Sequence, residues 1–63
     1  MDNERDTIIR RAYAEASLAA REKGLSGLRA MNAVLAATAK VASRILGQTI
    51  SMEDVEHVIH RAS

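Results

Sequence analysis

Between Gly27 and Gly47 run nineteen residues, "LRAMNAVLAATAKVASRIL", without a proline, a glycine or an acidic side chain. The segment predicts one uninterrupted helix, and its apolar positions say what that helix must do. Leu28, Met31, Leu35, Ala42 and Ile45 follow an a/d-like spacing, and Val34 and Val41 widen the stripe to about half the circumference. Only one band stays polar, made of Arg29, Asn32, Lys40, Ser43 and Arg44. A stripe this broad touches more than one neighbour, as a central helix does in a bundle or at a dimer axis.

Few large side chains are available to meet it. Of the 30 hydrophobic residues 12 are alanine, Tyr13 is the only aromatic, and there is no cysteine to staple the fold. A single domain of 63 residues buries only about 60% of the surface of its unfolded chain and is marginal in stability. Domains of this size often complete their core by oligomerisation. The expectation is an all-α domain spanning 1–63, with three helices, that forms an intertwined or bundle-type homodimer. Its copy–copy or partner interface is expected on Leu28, Met31, Val34, Leu35, Val41, Ala42 and Ile45 of the central helix, together with Leu18.

The flanking helices follow from local signals. Gly24 and Gly47 stand where helix C-caps belong, since glycine enters the left-handed region at little cost. Ser26 and Ser51 stand as N-caps. Asp54 three residues after Ser51 makes a variant capping box, and Ile50 and Val55 occupy the staple positions. Helices are thus predicted at about 3–23, 27–46 and 52–62. In the first, Ile8, Ile9, Ala12, Tyr13, Ala16, Ala19 and Ala20 share one arc, while Leu18 lies opposite with Thr7, Arg11 and Ala14. In the third, Met52, Val55, Val58, Ile59 and Ala62 point inward and Glu53, Glu56, His57 and His60 outward.

The last group is the one place where metal-binding side chains cluster. Two imidazoles on one exposed helix, lacking further ligands and a supporting shell, read as a solvated face with carboxylate–imidazole pairs, so no metal or cofactor is expected. No catalytic constellation stands out either. There is no cysteine nucleophile, no Gly-x-Ser-x-Gly turn and no glycine-rich phosphate loop.

Charge offers another surface. Net charge is +1, yet residues 10–44 carry seven cations against Glu15 and Glu22, while 2–6 and 51–63 are each −2. Arg10, Arg11, Arg21, Lys23, Arg29, Lys40 and Arg44 are the candidates for contact with nucleic-acid phosphates, with Thr49 beside them. The one aromatic ring that could stack on bases, Tyr13, lies on the inward arc of the first helix. The start, "MDNERD", shows no signal-type pattern and no apolar run reaches membrane-spanning length, which predicts a cytoplasmic protein of prokaryotic or phage type.

Residues 47–59, "GQTISMEDVEHVI", resemble the second loop and third helix of the histone fold. Thr49, Ile50, Glu53, Asp54 and Val55 match that family's pattern, although Gln48 stands where the family usually has a basic residue. The resemblance implies a three-helix chain, a dimer and DNA contacts near Gln48 and Thr49, with Arg21, Lys23 and Ser26 in the first loop. Two functional expectations result. The first is a homodimeric protein–protein interaction or regulatory module, such as an antitoxin-like inhibitor, a phage or plasmid accessory factor or an adaptor, that accompanies a larger partner. The alternative is a compact DNA-binding dimer using the basic sides of the first two helices.

Overall fold

The computed structural model describes residues 4–62, with side chains to residue 61, as three helices: α1 (Glu4–Glu22), α2 (Gly27–Leu46) and α3 (Met52–Ala62). The expected start of α1 at residue 3 and the inward position of Ala62 lie outside what is described. Each helix packs against both others. The helices α1 and α2 are of nearly equal length, 19 and 20 residues, and form a hairpin. The 11-residue α3 packs across only part of it.

The two glycine stops behave as expected. At the end of α1, Gly24 takes φ +75° and its N–H donates to Arg21 O (3.0 Å), while Leu25 N–H donates to Ala20 O (3.0 Å). That pair of bonds is a Schellman motif. At the end of α2, Gly47 takes φ +67° and its N–H donates to Ser43 O (2.9 Å), the simpler left-handed stop.

The two serine starts differ. At α3 the box closes in both directions: Asp54 N–H donates to Ser51 Oγ (3.0 Å) and Ser51 N–H donates to Asp54 Oδ2 (2.9 Å). Two orphan donors of the helix start are thereby satisfied. Ser26 stands at the N-cap position of α2 in extended conformation, but its hydroxyl makes no capping bond. Gly27 at φ +70° departs from helical geometry at the first position, so the chain enters the first turn at a different angle. The first turn closes instead through Ala30 N–H and Ser26 O (3.4 Å).

The core lies where α3 meets the hairpin. Ile9, Leu35, Ala39, Ala42, Ile50, Val55 and Val58 form one buried cluster, against which Ile8, Tyr13, Leu46 and Ile59 pack. Ile50 and Val55 therefore staple the entry to α3 into the core. Two hydroxyls are absorbed within it. Thr38, wholly buried, donates to Val34 O (2.6 Å). Ser43 donates to Ala39 O (2.6 Å) and accepts from Ile50 N–H (2.8 Å), tying the loop back onto α2.

Some expected core positions are only partly covered. On α1, Ile9, Ala12 and Ala20 are buried, Ile8, Tyr13 and Ala16 half-buried, and Ala19 exposed. On α3, Val55 and Val58 are fully buried but Met52 is exposed. Replacing Ile9 by Ala is expected to lower the unfolding free energy by about 3 kcal/mol, through lost transfer energy and a residual cavity. Leu18→Ala, at an exposed position, should stay within about 0.5 kcal/mol. Urea unfolding followed by circular dichroism checks both, and equal effects would contradict this placement of the core.

Candidate functional site

The structure divides the expected interface residues into two groups. Val34, Leu35 and Ala42 are buried in the chain's own interior, so they are not open to a partner in this conformation. Leu28 is 76% exposed, Ile45 60%, Met31 and Leu18 56% each, and Val41 37%. The difference follows from the length of α3. It reaches the side of α2 that carries Leu35, Ala39, Ala42 and Leu46 and leaves other positions bare.

Two of the bare positions, Val41 and Ile45, lie along the second seam of the hairpin, whose floor holds the buried Ala12, Ala20 and Val34. Ile8, Arg11, Ala12 and Glu15 of α1 line a groove with Val41 and Ile45 of α2. The groove continues between Ala16, Ala19, Ala20 and Lys23 on one side and Ala33, Val34 and Ala37 on the other. On α2, Val34, Ala37, Val41 and Ile45 are spaced 3, 4 and 4 apart, a helical stripe separate from the one under α3. On sequence alone Ala12, Ala16, Ala19 and Ala20 fall on the inward arc of α1 and Ala33 and Ala37 have no role, and the 3, 4, 4 spacing is the signal that marks this second stripe. Leu28 and Met31 belong elsewhere, on the first turns of α2. Leu18 borders a shallow depression with Tyr13, Ala14, Ser17 and Arg21.

The expected phosphate-contact residues fall on two helices and two loops. Arg11, Arg21, Lys23, Arg29, Lys40, Arg44 and Thr49 are exposed and Arg10 is half-buried. On α2, Arg29, Lys40 and Arg44 stand in a helix with no acidic residue, and among the described residues none of the three forms an ion pair. Arg44 and Thr49 line one open depression with Ser43, Gly47 and Gln48, whereas Arg21 and Lys23 stand near the opposite end of the hairpin. The basic residues are therefore spread over the surface and not gathered into a single cleft.

Glu53, Glu56, His57 and His60 are all exposed and flank one shallow depression on α3. Among the described residues no group of three or more His, Cys, Asp or Glu is placed to hold a metal ion. Among the described residues no helix is long and apolar enough to cross a membrane.

Two ionic links join α1 to α3. Arg61 meets Asp6 Oδ2 at 3.1 Å, and Arg5 lies 3.8 Å from Asp54 Oδ1 and 3.6 Å from Asp6 Oδ1. The second oxygen of Asp6 is buried without a hydrogen bond, so its charge is held by these guanidinium groups. Comparison with protein-family models, curated proteins and solved structures returns no match.

The carboxyl of Asp54 is held below its ordinary value of 3.8, chiefly by the Ser51 N–H bond and then by the Ser51 hydroxyl, with Arg5 and His57 adding to the effect. A depressed carboxylate stabilises the fold above its unfolded pKa and loses that contribution as pH falls through the folded one. The urea midpoint of Asp54→Asn is therefore expected to lie below the wild type near pH 5, with the gap narrowing as pH falls through the lowered value of the carboxyl. A gap that stays constant across that range would contradict the charge-based role of this cap.

Proposed function

We propose that this protein is a homodimeric helical interaction module that regulates or accompanies a larger partner. One observation carries the reading. The chain has few large apolar residues, and it leaves Leu18, Leu28, Met31, Val41 and Ile45 exposed while a compact core forms on one face only. Single exposed leucines are ordinary on any protein, but this many on so small a domain mark contact surfaces. With two separate sets, one along the α1–α2 seam and one at the start of α2, one copy can contact its mate and still offer a patch to another protein. Sedimentation equilibrium at micromolar concentration should give twice the chain mass. A species of single-chain mass throughout that range would remove the dimer from the reading.

A second reading rests on the absence of acidic residues from α2. Arg29, Lys40 and Arg44 give that helix an exposed cationic side, and a dimer would double it to track phosphates. The histone-like stretch at 47–59 supports the same reading, through Thr49 beside Arg44. The expected outcome is a gel shift of duplex DNA at low salt that weakens steeply as salt rises and is reduced by Lys40→Glu with Arg44→Glu. No shift at low salt with micromolar protein would end this reading.

A further inference from the structure

We infer that the second copy covers the open α1–α2 seam, with α1 of each chain laid antiparallel on α2 of the other to make a four-helix bundle. This deepens the homodimer reading above and rests on it. The occupant is argued from charge and from area.

The residues lining the seam set the alignment of the hairpin. Ile8 and Ala12 lie opposite Ile45 and Val41, and Ala16, Ala19 and Ala20 opposite Ala37, Val34 and Ala33. On the helical wheel the outer flank of this seam on α1 carries Glu4, Arg11, Glu15 and Glu22. The corresponding flank of α2 carries Arg29, Lys40 and Arg44 and no acid. One edge of the same open face thus carries Glu4, Glu15 and Glu22 beside Arg11 and Lys23, and the other is wholly basic.

A face of this kind complements itself under one two-fold axis and not under another. With the axis along the helices, α1 of one copy lies over α2 of the other at the same height. Glu15 then comes within one helical turn of the level of Lys40 and Glu22 within one turn of that of Arg29, while Arg44 comes nearest the level of Arg11. Arg11 itself stands one turn from Glu15 of its own helix. With the axis across the helices, α2 would lie on α2 and set three cations against three. The charges select the first arrangement.

The area suffices. Helices of 19 and 20 residues are about 30 Å long, and two side by side span about 20 Å. That footprint, on the order of 600 Å2 before corrugation, approaches the roughly 800 Å2 per partner of a standard interface. The seam is lined mostly by alanine, which lets two hairpins approach closely, while Ile8, Val41 and Ile45 supply the larger contacts.

The test uses two charge-reversed chains, Glu15→Lys with Glu22→Lys and Arg29→Glu with Lys40→Glu, examined by sedimentation and native mass spectrometry at low salt. Each alone should dimerise about tenfold or more weakly than wild type, because like charges face each other. Mixed in equal amounts, they should form a heterodimer in preference to either homodimer. Val41→Glu with Ile45→Glu should give a helical monomer, while Leu28→Lys with Met31→Lys should leave the dimer intact. Failure of the two chains to pair, or a dimer lost only with Leu28 and Met31, would overturn this face while leaving a homodimer standing. A wild-type chain that never dimerises would instead overturn the homodimer reading itself.

Discussion

The structure turns on a mismatch of lengths. Two helices of 19 and 20 residues are paired, and the third has 11. At 1.5 Å per residue α3 is about 16 Å long beside a hairpin of about 30 Å. It can therefore cover one face over part of its length, and it does so with the few large side chains available, Val55, Val58 and Ile59, together with Ile50 of the loop before it. The opposite seam is filled by alanines and by a valine and an isoleucine still open to water. A methyl group offers little apolar area to bury, so the hairpin gains little by closing that side on itself. What this chain lacks in large side chains, a second surface can supply.

The polar features work in the same direction. The reciprocal Ser51–Asp54 cap fixes where α3 starts, the Ser43 bridge to Ile50 ties the preceding loop to α2, and the pairs Arg61–Asp6 and Arg5–Asp54 join α3 to α1. They determine which face of the hairpin is covered and so which face stays open. The cations of α2 take no part in this fastening. They are free for the anionic edge that each proposal calls for, the glutamates of a second copy in the one and the phosphates of a nucleic acid in the other. In the bundle argued above the same three side chains cannot serve both fully, so self-association through this face and DNA binding through α2 compete.

Most of the fold was legible from the sequence because local chemistry settles it. The boundaries of α2 and α3 follow from Gly27, Gly47 and the cap at Ser51, and the all-α class follows from uninterrupted periodicity. What escaped was the division of the wide stripe on α2. Periodicity marks Leu28, Met31, Val34, Leu35, Val41, Ala42 and Ile45 as apolar without saying which meet α1 and α3 of the same chain. That depends on how far α3 reaches, a tertiary fact. Thr38 was equally hidden, since a threonine within an apolar stripe becomes interior only by returning its hydroxyl proton to Val34 O. Ser26 shows the converse, a residue of the right type whose cap fails because Gly27 alters the entry of the chain.

The central claim is that the folded chain shares its open seam with a second copy, so folding and association are linked. Mass action then requires thermal stability to depend on protein concentration. Melting curves recorded over about a hundredfold range of concentration should show the midpoint rising with concentration. A single cooperative transition whose midpoint stays fixed across that range would contradict the account.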